Sequence, residues 1–183
     1  MSLLAILADS AAVFLMVVLL LAGVHKISPA NQNYYRGVLE GYGLAYHSQL
    51  NLISLVLGVV EVFTALAILI PASRPLGAAL AIALFTIYFA AMAAQLLQGK
   101  RDLDCGCAGP LGSSTISAAL LLRNAVLIAL ATFCLLGPGS LLIQASTAAL
   151  TLPFALLALI VYACAEQLIA NSQKLKLLQN RGH

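Results

Sequence analysis

An all-α, polytopic transmembrane helical bundle of about five spans, a four-helix core plus one, is the fold class this sequence predicts. Three observations carry the prediction. Of the 183 residues, 62% are hydrophobic and 8% charged, whereas a soluble domain carries about 25% charged residues. With so few polar side chains to cover a surface, lipid must cover much of it. The apolar residues also gather into runs near the ~20 residues a helix needs to cross a bilayer. Finally, the connections between runs are too short for a soluble domain, so residues 1–183 are expected to form one integral membrane domain.

The runs are Leu3–Val24, Leu52–Ile70, Leu76–Leu97, Ile116–Leu136 and Ala145–Cys164. Helix is expected in each, because an unpaired backbone amide in hydrocarbon is too costly for any open structure. The first run lacks a basic leader, carries Asp9 early and precedes similar runs, so it reads as a retained span rather than a signal peptide. Ala78, Ala79, Ala81, Ala83, Ala90, Ala91, Ala93 and Ala94 in the third run suit close helix packing. Pro71–Pro75 and Gly137-Pro138-Gly139 read as tight turns that make their flanking spans antiparallel neighbours.

The longest connection, residues 25–51, contains Ser28-Pro29 and then Tyr34, Tyr35, Val38, Leu39 and Tyr42 on one side of a helical wheel. This predicts a short interfacial helix. Its tyrosines either anchor at headgroup depth or form a lid over a cavity shared with a later cysteine loop. At the other end, residues 171–183 form a basic tail with Lys174, Lys176 and Arg181.

That cysteine loop, residues 98–115, contains Asp102–Thr115, read DLDCGCAGPLGSST. Cys105 and Cys107 stand either side of Gly106, which makes the bend an i,i+2 disulfide needs inexpensive. Such a small ring would be strained and therefore reactive in exchange. Three readings stand side by side: a redox-active pair, a two-thiolate site for a soft metal such as Cu(I) or Hg(II), and inert residues of a turn. Gly109, Pro110 and Gly112 keep the chain out of helix until Ser113, Ser114 or Thr115 caps the fourth span. Of the remaining cysteines, Cys134 reads as structural, while Cys164 ends the fifth span on the loop's side and is an auxiliary candidate for relay exchange.

Charges inside spans are expensive and therefore informative. Glu61 and Arg123 lie at matching depths and are expected to pair, with a proton-transfer or quinone-polarising role as the alternative. His25 and Lys26 end the first span on the loop's side, where His25 is placed to take a proton from an attacking thiol, and capping or headgroup contact explains both residues equally well. No basic cluster is dense enough for a phosphate backbone, which excludes nucleic acid as a partner.

Lys26, Arg36, Lys100, Arg101, Lys174, Lys176 and Arg181 all fall on the face that holds the cysteine loop, and only Arg74 on the opposite one. The positive-inside rule then makes the loop face cytoplasmic. Disulfide chemistry argues for the periplasm, because cytosolic thiols are kept reduced.

Gly23-Val24-His25-Lys26 at the end of the first span and Asp104-Cys105-Gly106-Cys107-Ala108-Gly109 before the fourth carry a resemblance. Over roughly residues 5–165 the chain resembles the methylamine utilisation protein MauE family, within the wider DoxX-like group. It departs from that pattern at Ala108, where an aromatic residue is usual. The resemblance implies a bacterial inner-membrane factor needed to mature the disulfide-rich small subunit of methylamine dehydrogenase. The implied partner is the thioredoxin-like protein MauD, with Cys105 and Cys107 exchanging redox equivalents with it. The bundle is also similar in arrangement to vitamin K epoxide reductase, which implies a membrane quinone as cofactor. A non-catalytic scaffold for the thioredoxin-like protein is the alternative.

Overall fold

The computed structural model describes residues 3–43, 49–99, 116–137 and 145–181, with backbone alone for 145–148, 174 and 176–181. Among them are six α-helices: α1 (Leu3–Ile27), α2 (Gln32–Gly41), α3 (Leu50–Leu69), α4 (Arg74–Leu97), α5 (Ala118–Leu136) and α6 (Ala145–Arg181). All except α2 are long and apolar enough to span a membrane. The protein is therefore a polytopic membrane bundle with one short helix after the first span, as the composition predicts.

Packing order sets the architecture. α1 packs on α3, α3 on α4, α4 on α5, and α5 closes the ring against α1, while α6 lies outside against α1. This is four helices plus one. Inside the ring, Phe14, Leu15, Leu19, Ile68, Ala78, Ala81, Phe85, Leu127 and Ala131 form the core. The side chains turned outward include Leu66, Leu76, Ile87, Leu122 and Ile160, and lipid is their natural solvent. Only Ala78 and Ala81 of the alanine-rich pattern in α4 are fully buried; Ala79, Ala83 and Ala90 face outward.

α1 and α3 approach backbone to backbone, and glycine permits it. A Cβ on Gly23 would lie 2.7 Å from the Gly58 carbonyl oxygen, and one on Gly58 would lie 2.9 Å from that of Gly23. Each glycine is thus the floor on which the other helix rests, the small-residue mode of packing that membranes favour. One turn further along each chain stand Lys26 and Glu61.

Three expectations are revised. The fifth span does not stop near Cys164; α6 runs unbroken through Pro153 to Arg181, so the basic tail continues the helix. At 37 residues and ~1.5 Å per residue, α6 is about 55 Å long, well beyond a ~30 Å hydrocarbon core. The fourth span begins at Ala118 with Ser117 as its N-cap; Ser113, Ser114 and Thr115 lie outside the described residues. The third revision concerns the turn at Gly137-Pro138-Gly139, of which residues 138–144 also lie outside them. The helix that follows docks mainly on α1, reaching α5 through polar side chains, Arg123 to Glu166 and Gln173 to Ser117.

The glycine contact yields a paired prediction. Gly58→Ala should lower stability by about 1–3 kcal/mol, because the clash is with backbone and the helices must separate. Gly37→Ala, where a Cβ meets nothing within 4 Å, should be neutral or stabilising by up to ~1 kcal/mol through helix propensity. Unfolding of both purified variants in detergent micelles checks the order.

Candidate functional site: a buried ion pair beneath a membrane-end cavity

Lys26 Nζ donates to both carboxylate oxygens of Glu61, at 2.8 and 2.9 Å. Tyr88 Oη donates to Glu61 Oε1 at 2.6 Å, and the ammonium also stands 5.6 and 5.3 Å from the ring centroids of Tyr35 and Tyr88. Lys26 is 6% exposed and Glu61 1%. A charge so placed is tolerable only with a partner, and here one carboxylate accepts from two donors. Four helices contribute: α1 gives Lys26, α2 Tyr35, α3 Glu61 and α4 Tyr88.

Above this network lies a cavity of about 390 Å³, open on one side. Its walls are α2 (Tyr35, Val38, Leu39, Tyr42), the start of α3 (Ile53, Ser54, Leu57) and the last turns of α4 (Ile87, Tyr88, Ala91, Met92, Ala94, Gln95), with Lys26 at the base. Both openings of the cysteine segment adjoin it. Gln95 lines the cavity just before the chain leaves α4, and Ile116, where the description resumes, packs with Met92 and Leu120. The side chain of Gln95 is 7% exposed, and its Oε1 has no hydrogen-bond partner among the described residues.

The expected wheel face of α2 exists, but it turns inward. Tyr35 is 3% exposed, and Val38, Leu39 and Tyr42 line the cavity. The helix is thus a cover for the cavity, with Tyr35 and Tyr42 facing it. Gln32 Nε2 donating to Lys26 O at 2.7 Å and Asn31 Nδ2 donating to His25 O at 3.1 Å tie it to the end of α1.

Sequence expectations fare unevenly here. Cys105 and Cys107 lie outside the described residues. Glu61 and Arg123 do not pair: Glu61 takes Lys26, while Arg123 Nη1 donates to Glu166 Oε1 across α5 and α6. The depth argument failed because it matched positions along the membrane normal and ignored which helices are neighbours. Lys26 is buried, so headgroup contact does not account for it. His25 is half-buried, is absent from the cavity wall, and is engaged through its backbone carbonyl. Cys164 is exposed on α6, and Cys134 is buried, its thiol 3.6 Å from Ala8 O as a weak donor. Arg74, read as a loop cation, is also buried; its Nη1 donates to Asp9 Oδ1 at 2.6 Å. Among the described residues no three His, Cys, Asp or Glu side chains gather as a metal site would require.

Sequence reasoning missed Tyr88 and Gln95. The signal was present: Gly58-x-x-Glu61 in α3 repeats the spacing of Gly23-x-x-Lys26 in α1, so glycine contact and ion pair share one register. On α4, Tyr88, Met92 and Gln95 recur at the i, i+4, i+7 spacing of one helix face.

Removing one partner of the buried pair should be far worse than removing both. Glu61→Leu strands an ammonium and should cost about 3–5 kcal/mol, whereas adding Lys26→Met should recover most of that loss. A double-mutant cycle of unfolding in micelles measures the difference.

No solved structure matches the chain. A curated relative, methylamine utilization protein MauE of Paracoccus denitrificans, is 31% identical over 119 residues, covering 65% of this chain and 63% of that protein's own length. The protein of the same name from Methylophilus methylotrophus is 26% identical over 178 residues, covering 94% of this chain and 93% of its own. The family described as methylamine utilisation protein MauE matches residues 3–137, a stretch that holds α1 to α5, the ion pair, the cavity and both cysteines of the loop. The chain belongs to the MauE family.

Proposed function

We propose that this protein is a membrane thiol–disulfide redox and assembly factor that serves a thioredoxin-like, MauD-type partner. Its client is the methylamine dehydrogenase small subunit. The observation that supports this best is the occurrence, inside a MauE-family match, of Cys105-Gly106-Cys107 on a segment whose flanks, Gln95 and Ile116, both adjoin one cavity. The chemistry is exchange. A thiolate on one protein attacks the other's disulfide, a mixed disulfide forms, and the second thiol of the attacking pair displaces it. One disulfide opens as another closes, so electrons balance without a further reagent.

The loop face then lies toward the periplasm, where lasting bridges form. Lys26 is no obstacle to that orientation, because its charge is buried against Glu61 rather than displayed at the interface.

Three measurements test the proposal. Cys107→Ala should trap a mixed disulfide between Cys105 and the thioredoxin-like partner, detectable as a reducible adduct. Replacing both cysteines with serine should abolish the client's native bridges. Membrane-impermeant thiol labelling of intact cells, with and without prior reduction, should find the pair reachable from outside and switching state. Normal client maturation in the double serine variant would sink the redox role and leave a scaffold; permanently reduced thiols reachable only from the cytosol would sink the orientation.

A further inference from the structure

We propose that the cavity between α2, α3 and α4 binds the head of a neutral, ring-bearing lipid of the quinone and quinol class. Its position is the first argument. Lys26 stands one residue from the end of α1, Gln95 two from the end of α4, and Ser54 in the first turns of α3, so the cavity opens at one end of the spans, within reach of lipid but not of the bilayer centre. Its walls are almost wholly apolar and include the rings of Tyr35, Tyr42 and Tyr88 and the thioether of Met92, surfaces suited to a flat ring. A volume near 390 Å³ falls in the range of small-molecule sites.

The few polar groups define the head. Among the described residues nothing donates to the buried Gln95 Oε1, a state that costs about 1–3 kcal/mol unless a donor is supplied. At the base, an ammonium has three N–H groups, and Glu61 takes two from Lys26, leaving one for a ligand oxygen. A quinol satisfies both, one hydroxyl donating to Gln95 Oε1 and the other accepting from Lys26, while a quinone offers a carbonyl to Lys26 alone. Formal charge disfavours anionic phospholipid heads. Among the described residues the cation at the base is already neutralised by Glu61, so an anionic phosphate entering the cavity meets a carboxylate beside it.

The assignment deepens the thiol–disulfide reading and rests on it for its purpose: when bound, such a head takes up the two electrons and two protons released as two thiols close to a disulfide. Binding itself is argued from α1, α2, α3 and α4 alone and does not depend on that reading.

The experiment is photolabelling of the full-length, detergent-purified chain with an azido derivative of a short-chain ubiquinone, followed by peptide mapping. Adducts should fall on α2, α3 and α4 and be competed by unmodified short-chain quinone but not by phosphatidylglycerol. Ala91→Phe and, on the rim, Ile87→Phe should each cut labelling about tenfold by occupying the space. Gln95→Leu, similar in bulk, should weaken competition by the reduced, quinol form several-fold, and Leu122→Phe on the lipid-facing side of α5 should leave labelling unchanged. The Cys105→Ser/Cys107→Ser variant should label like the native chain even if client maturation proves independent of both thiols. Adducts confined to outer helix faces, labelling indifferent to both phenylalanine variants, equal competition by phosphatidylglycerol, or loss of labelling in the double serine variant would each overturn the assignment.

Discussion

The contact between Gly23 and Gly58 is the constraint on which the rest of this bundle depends. Two helices can approach closely enough to place backbone against backbone only where neither carries a side chain. Having done so, α1 and α3 bring Lys26 and Glu61 within hydrogen-bonding distance one turn away. The pair then recruits Tyr88 from α4 and the ring of Tyr35 from α2. A steric permission at one level thus fixes an electrostatic centre at the next, and the cavity is the space left above that centre.

Much of the fold could be read from the sequence. Five spans, their approximate limits and the short helix after the first follow from hydrophobic run length and wheel periodicity, which local sequence states directly. Partnership is a different kind of information. Glu61 and Arg123 share a depth, yet α3 and α5 sit on opposite sides of the ring, and each charge found its counterion on an adjacent helix, α1 for Glu61 and α6 for Arg123. Nothing in a run of apolar residues reveals ring order. The same gap explains why Arg74 read as a loop cation: it begins α4 beside a turn, but Asp9, sixty-five positions earlier, draws it inward. The candidate site was legible only in part, because Gln95 and Tyr88 are ordinary residues whose meaning comes from the cavity they share.

The ion pair and the cysteine segment belong to one end of the molecule. The chain passes directly from the cavity wall at Gln95 into the segment that carries Cys105 and Cys107, and returns at Ile116 against Met92, another lining residue. The cavity thus adjoins both flanks of that segment. It also assigns α2 a reason to be tethered to α1 by Asn31 and Gln32, since a cover must stay in register with what it covers.

α1 carries two buried charges, Asp9 near its start and Lys26 near its end, and their counterions arrive with α4 and α3. During synthesis the first helix leaves the ribosome with both unneutralised. Each such charge costs about 2.5–3.5 kcal/mol at the centre of an isolated spanning helix and less toward its ends. Neutralisation of the first span is therefore complete only once both α3 and α4 have joined it, which ties three spans together through charge as well as packing.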